Sequence, residues 1–421
     1  MRSPLRAPWK IAAVLTAGLL AVAGCGSGGD DSSADGVVQL SLWTGFTGPD
    51  RPAYESLVKQ FNDTHPKIKV TMDVQPWDAI GQKLPGAWAT GQGPDLATPN
   101  FDPGVLFTYV KTNSLLPLDE AAGDGDGKLN TSLFPKAVTT AFTIDGKLYA
   151  APANMATLVL YYNKAMLTEA GVSEPKTGDD LVNAAKKLTK MDGGKVTQYG
   201  ISLADHATIQ MWPILQWMNG GDIVDAKGCA TVAEPASVQA LQTWADLVAK
   251  DKVSPVGQTG ADADTLFSAK KAAMEINGPW AAAGFKSAGI DLGIAAVPVG
   301  AGGPVTLAST VPLAIGKSTK HKAQALEFLA WWTGKTAQAA FSDASGFPPV
   351  RTDVTPTNPI VAPFAAQLPN ARLYLPGLPT SAKIDTDVYV PLIGKITRSE
   401  PVGPAAQSAA EAINKITGCK P

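Results

Sequence analysis

Apolar residues recur at every second position at Val38, Leu40 and Leu42, which predicts a strand ending at Trp43. Asp50 is placed to cap the next element, Pro52 falls in its first turn, and Tyr54, Leu57, Val58 and Phe61 follow at i, i+3, i+4 and i+7. That spacing is the apolar stripe of a helix. A second strand is predicted over 68–74. A second helix follows with Ile80, Leu84, Ala87 and Trp88 on one face, and it stops at Gly91. After GQGPD a short strand leads into 99–103, and Asp145-Gly146 marks a hairpin. Beyond it the pattern predicts a strand at 158–162, helices at 164–170 and 179–190, and a strand at 200–203. Helices near 208–218 and 235–250, strands at 273–277, 292–297 and 311–315, and a helix at 322–332 complete it. Strands alternating with helices predict an α/β fold with doubly wound, mainly parallel sheets, whose ligands sit beyond the carboxyl ends of the strands. Here those ends are 43–47 and 100–102. No linker rich in serine, proline or charge divides the chain, so two sheets predict two lobes joined by several crossings, with a cleft between them.

The amino terminus is built differently. Arg2, Arg6 and Lys10 precede an apolar run over 11–23, too short for a bilayer core of about 30 Å but the length of a signal-peptide core. It ends in Val22-Ala23-Gly24-Cys25, which resembles the bacterial lipobox, where the thiol receives a diacylglycerol and the peptide is cut just before it. The alternative is an ordinary signal peptide followed by an unrelated cysteine. Residues 1–24 therefore read as a lipoprotein signal peptide, and 25–36 as the lipidated cysteine and a flexible tether, GSGGDDSSADG. Two acyl chains anchor stably where one does not. No other apolar run approaches the roughly 18 residues of a membrane span. Export leaves Cys229 and Cys419 as an even pair in an oxidising compartment, which predicts a disulfide; the alternative is two buried thiols.

Composition narrows the function. With 421 residues the chain has length for two or three domains, and 45% hydrophobic against 17% charged residues excludes a solvated disordered chain. Lys+Arg 35 against Asp+Glu 37, with no basic run, argues against nucleic acid as a partner. His65, His206 and His321 have no ligand spacing, so neither a metal nor another cofactor is implied. Gly316-Lys317-Ser318 lacks the first glycine of a phosphate loop, Val311 standing there. Ser268-Ala269-Lys270-Lys271 and Lys176-Thr177-Gly178 occur in the reverse order of acyl-serine enzymes. Asp124-Gly125-Asp126-Gly127 has Pro135 at the twelfth position of a calcium loop. A glycosidase needs only two carboxylates at a suitable separation, which sequence spacing does not show. The positive signal is aromatic. Trp88, Trp244 and Trp331 lie on apolar helical faces and read as core, whereas Trp43, Trp77, Trp212 and Trp280 stand at strand ends or beside proline and glycine. Each of these four is open to two readings, core or cleft wall, where a ring stacks on the C–H face of a pyranose.

From Leu40 onward the chain resembles the extracellular solute-binding proteins of ABC sugar importers, the group that includes maltose-binding protein. The stretches that carry the resemblance are LSLWTGFTGPD, LVKQFNDTHPKIKV, ATGQGPDLA, DGKLYAAPANMATLVLYYNKAMLTEAG, INGPW, VPLAIGKSTKHKAQALEFLAWW and SGFPPVR, in family order. It implies a two-lobed periplasmic-binding-protein-like fold of type II, each lobe a mainly parallel sheet flanked by helices, with a three-segment hinge near Asn154, Ala308 and Gly346. Residues 37–153 plus 308–345 would form the N-terminal lobe and 154–307 plus 346–421 the C-terminal lobe. Carried over by position, Phe46 and Thr47 fall at first-lobe polar contacts, and Asp102, with Asn100 beside it, at a carboxylate that holds sugar hydroxyls. Trp280 of INGPW is the stacking tryptophan. Trp212 and Tyr389 fall near second-lobe aromatic contacts, and Asn154, Ser309 and Arg351 near the hinge. Pro99 stands where maltose-binding protein has an aromatic residue, and Ala156 replaces its hinge glutamate. Asp95 of the GPD turn reads as structural. The resemblance implies a monomeric, non-catalytic receptor anchored at the outer face of the bacterial cytoplasmic membrane, delivering a mono- or oligosaccharide to permease subunits. One rival is a receptor for a glycerol-phosphate diester or another anion, which needs cationic donors, and Arg351 is the one candidate. The other is a secreted glycoside hydrolase.

Overall fold

A computed structural model describes residues 36–123, 128–209 and 211–420. The lipobox, Cys25, the expected tether up to residue 35 and the Asp124-Gly125-Asp126-Gly127 motif lie outside the described residues. The first strand, Val38–Thr44, buries Leu40, Leu42 and Thr44 on one face, as the alternation of its apolar residues requires. It runs parallel to Ile68–Val74 on one side and to Leu96–Ala97 on the other. Pro312–Ile315 then adds antiparallel to Leu96–Ala97, and Ala151–Pro152 antiparallel to Pro312–Ile315, completing a five-stranded sheet. Helix Arg51–Thr64 lays Tyr54, Leu57, Val58 and Phe61 onto this sheet, and helix Trp77–Ala89 buries Ile80, Leu84 and Trp88. Asp50 occupies the N-cap position of the first helix but makes no capping hydrogen bond with its side chain, contrary to the expectation. In the GPD turn, the Asp95 carboxylate accepts from Ser41 N at 2.9 Å, Ser41 Oγ at 2.9 Å and Thr319 Oγ1 at 2.6 Å. Asp95 thus ties the turn to the first strand and to a segment 224 residues away in sequence.

The second half corrects one expectation. Its central strand, Val159–Asn163, is flanked by Met274–Asn277 and Leu292–Ala295, and both pairs are antiparallel. Periodicity reports that a strand is followed by helices, not the sense in which the chain re-enters the sheet, so the mainly parallel second sheet does not hold there. A third, small sheet places Thr306–Ser309 between Ala156–Thr157 and Ala371–Leu373. The expected strand at 200–203 is reduced to single bridges at Tyr199 and Ser202. Gly200 presses against the Ala185 carbonyl so closely that a Cβ there would lie 1.8 Å from the oxygen. The helix expected near 208–218 forms only over Trp212–Trp217, with Pro213 in its first turn.

Apolar burial gathers into separate clusters. One runs from Leu40 to Ala156 and resumes from Val311 to Val350. A second takes Leu158 to Leu307 together with Leu375 to Ile413, and a smaller one packs Val159, Tyr161, Phe267, Phe285 and Phe364. Trp280 packs against all three. Cys229 and Cys419 are bonded, with their Cα atoms 5.3 Å apart and 190 residues between them in sequence, so the bridge pins the C-terminal helix Val402–Thr417 to the loop after Ile223.

A loop of this length restricts the unfolded chain strongly. Replacing both cysteines by serine is expected to lower the unfolding free energy by up to about 5 kcal/mol, read from urea titrations. An unchanged midpoint would show that the bridge contributes nothing.

Candidate functional site

The carboxyl end of the first strand runs into Gly45-Phe46-Thr47, where the backbone is crowded by a ring. A Cβ on Gly45 would lie 2.1 Å from the Trp77 indole, so only glycine lets Trp77 fold back over the strand end. Phe46 is stacked on Tyr54 at 3.7 Å between centroids and meets Trp77 edge-on at 5.6 Å, and Trp77 in turn meets Phe101 edge-on at 5.8 Å. The other wall repeats the device. A Cβ on Gly278 would lie 2.2 Å from the Trp280 ring, the Tyr161 hydroxyl donates to the Gly278 carbonyl at 2.8 Å, and Trp280 sits 6.3 Å from Phe347.

Between these walls lies a cavity of about 300 Å³. Phe46, Thr47, Asp50, Trp77 and Phe101 line it from the first cluster's side, and Thr208, Ile209, Asp264, Asn277 and Trp280 from the other. Asn154, Ser309 and Val311 close its floor. Five aromatic rings and two carboxylates face it, with no lysine or arginine among the described lining residues. A second cavity of about 60 Å³ adjoins it, sharing Phe101, Thr208, Ile209 and Ser309, and is lined further by Asp102, Tyr374 and Asp385. Concavities of about 610 and 670 Å³ lie elsewhere; one is lined by Trp217, already covered by the Arg372 guanidinium at 4.7 Å, and the other has no tryptophan, tyrosine or phenylalanine among its described lining residues.

The acidic groups are held in different ways. Burial pushes the Asp50 carboxyl up to about 6, against the opposing effect of its backbone N–H and the Tyr54 hydroxyl. Burial raises Asp102 as well, partly offset by Gly104 N at 2.8 Å and Ser381 Oγ at 3.3 Å. Asp264 is raised by burial and accepts from Asn277 Nδ2 at 2.6 Å.

The sequence-predicted residues separate accordingly. Phe46, Thr47, Asn154, Trp280 and Ser309 line the main cavity, and Asp102 lines the small one beside it. Asn100 lines neither; its Oδ1 accepts from Asp102 N at 2.9 Å and shapes that loop. Three placements correct the expectation. Trp212 is 1% exposed and donates to the Ala204 carbonyl within the core. Tyr389 is 0% exposed, with its hydroxyl on Gln216. Arg351 is engaged by both Asp353 oxygens and the Thr333 carbonyl rather than facing the cavity. Asp50, Phe101, Asp264, Asn277 and Phe347 are cavity residues that sequence reasoning did not single out. Asp50 was readable only as a cap, and Asn277 sits inside INGPW, where its neighbour Trp280 drew the attention.

Residues 47–339 match the model of the bacterial extracellular solute-binding protein family. The chain belongs to that family. Among relatives of this solute-binding protein, a putative binding protein of Brucella abortus is 26% identical over 96% of this chain and 97% of its own. A maltooligosaccharide ABC transporter solute-binding lipoprotein of Streptococcus pneumoniae is 30% identical over 68% of this chain and 66% of its own. The GacH receptor of Streptomyces glaucescens, solved unliganded and with acarbose, superposes with a TM-score of 0.80 at 24% identity, over 91% of this chain and 100% of that one. The α/β, two-lobed periplasmic-binding-protein fold is therefore shared.

The main cavity carries a signature in the protein's stability. Because Asp50 titrates at about 6 in the folded protein and near 3.9 when unfolded, raising the pH ionises the unfolded chain first and so favours unfolding. Its contribution is thus present below about pH 4 and lost as the pH passes about 6. Asp50→Asn is expected to gain roughly 2 kcal/mol on wild type between pH 4 and pH 7, measured by urea unfolding at both. A difference independent of pH contradicts this.

Proposed function

We propose that this protein is the substrate-binding component of an ABC importer and that it captures a neutral carbohydrate, a mono- or oligosaccharide, between its two lobes. The observation that carries this reading is the cavity itself: rings from opposite walls, Trp77 and Trp280 above all, with carboxylate and amide groups between them and no cation among the described lining residues. Flat rings suit the C–H faces of a pyranose, while Asp50 and Asp264 offer acceptors and Thr47 and Ser309 offer hydroxyl donors for its hydroxyls. The ligands of the similar proteins, a maltooligosaccharide and acarbose, support the same class. An anionic ligand would meet two carboxylates and find Arg351 already paired.

The lobes are taken as 37–153 plus 308–345 and 154–307 plus 346–421, a division supported by the separate apolar clusters. The protein acts as a monomer without catalysis, tethered through a lipid on Cys25 to the outer face of the cytoplasmic membrane, and presents its liganded form to the permease. The signal of 1–24 and the lipobox support the anchor; among the described residues no helix is long and apolar enough to cross a membrane.

A thermal-shift and calorimetry panel of maltooligosaccharides, arabinooligosaccharides, acarbose and glycerophosphocholine tests the reading. At least one saccharide is expected to raise the melting temperature, glycerophosphocholine not. Trp280→Ala should weaken that saccharide by about ten- to a hundredfold, and prolonged incubation should release no product. Binding of none of the sugars, or unchanged affinity in Trp280→Ala, would refute the site; a hydrolysis product would make it an enzyme.

A further inference from the structure

Behind the cavity wall lies a carboxyl pair that ligand contact alone does not explain. Glu275, on strand Met274–Asn277, is 0% exposed. Its Oε1 accepts from Asn277 Nδ2 at 2.9 Å, while its Oε2 has no hydrogen-bond partner. The same Asn277 amide nitrogen donates to Asp264 Oδ1 at 2.6 Å, and Asn277 Oδ1 accepts from Gly278 N at 2.8 Å. One asparagine therefore bridges two carboxyls and fixes the turn that sends Trp280 across Gly278. One amide nitrogen thus holds the Glu275 and Asp264 carboxyls beside each other, and two neighbouring buried carboxyls share one negative charge more readily than both ionise.

Among the described residues, the groups that face Glu275 supply no counter-charge. Asp264 comes from helix Gly260–Ser268, Tyr161 stands opposite on the central strand, and Ser202 bridges from the parallel segment beside it. An ionised Glu275 would be a buried anion beside another anion, whereas a protonated Glu275 turns its unpartnered oxygen into a donor.

We propose that Glu275 is the positioning residue of the cleft, holding a proton so that the pair carries a single charge and Asp264, fixed by the Asn277 amide that both carboxyls share, is presented to the ligand as an acceptor. This rests on the carbohydrate-binding reading only for its effect on affinity; the proton itself is independent of it. Burial, followed by the field of Asp264, raises Glu275 well above the usual carboxylate range, in accord with the geometry. The proton leaves as the pH rises, the two anions then repel, and Asp264 and Asn277 lose their register.

Infrared difference spectroscopy of the ligand-free protein tests the proton directly. A carboxylic-acid C=O band is expected at pH 7 in wild type and absent in Glu275→Gln; a spectrum without the band, or one that Glu275→Gln leaves unchanged, overturns the proposal. Calorimetry with maltotriose and acarbose tests the consequence. Glu275→Gln, uncharged and of the same shape as the acid, should keep wild-type affinity and lose its decline at alkaline pH, while Glu275→Ala should weaken binding by about tenfold. Equal loss in both variants would reduce Glu275 to packing. If no sugar binds at all, the functional reading falls, and the infrared band still decides the proton.

Discussion

The cleft hangs from one buried amide. Asn154 stands where the chain first leaves the five-stranded sheet. Its Nδ2 donates to the Tyr54 hydroxyl at 2.6 Å, its Oδ1 accepts from Val311 N at 3.2 Å, and its carbonyl accepts from Thr310 Oγ1 at 2.8 Å. The outgoing and returning crossings are thereby fastened at a single point and tied to helix Arg51–Thr64. On the first wall everything else follows from Tyr54, whose ring stacks on Phe46 and whose hydroxyl reaches Asp50. Trp332 Nε1 donates to the Ala153 carbonyl at 2.9 Å beside the same knot. Buried polar bonds of this kind cost more to leave unmade than they yield when formed. A motion of the lobes that preserves them has to pivot about 154 and 310–311 rather than shear across the floor.

The two walls solve one packing problem twice. Each sets a tryptophan over a glycine that ends a strand, Trp77 over Gly45 and Trp280 over Gly278, so that a large ring faces the cavity while its back is held by backbone. A ring fixed this way keeps its orientation without a ligand, and less conformational freedom remains to be lost on binding. Exclusion of water by these rings also strengthens the hydrogen bonds made between them. The apolar walls and the few polar groups therefore act together.

The first lobe was legible because its elements obey local rules. Strand Ile68–Val74 and helix Lys322–Trp332 were bounded to the residue, and the hairpin at Asp145-Gly146 has both residues at positive φ, 49° and 76°, as its turn requires. The reading failed where tertiary packing overrides pattern. Strand sense around Val159–Asn163 depends on the route of a chain that makes helices before it returns, and helices such as Gly260–Ser268 and Lys335–Ser345 are too short and alanine-rich to show a clear stripe. Of the residues that type and motif pointed to, Phe46 and Trp280 line the cavity, whereas Trp212, Tyr389 and Arg351 lie away from it. Buried Trp212 and cavity-lining Trp280 look alike in sequence, since each stands beside a proline, and only the packing around the ring separates them. Asp264 and Glu275 escaped notice for a related reason: eleven positions apart on different elements, they meet only through Asn277.

Charge explains why such a cleft should be shut by its ligand. Asp50 and Asp264 lie among rings with no cation among the described lining residues, so bringing the walls together removes water from two carboxyls and must be offset. Tyr54 relieves Asp50 in part, and the Asn277 amide relieves Asp264, but each carboxyl keeps acceptor capacity that these partners do not fill. A sugar is dense in hydroxyl donors and carries no charge of its own, so it fills that capacity without introducing a second ion. The free energy of closing is then lower with the sugar present than without it. That difference in affinity between two arrangements of the lobes is what lets a ligand select one of them.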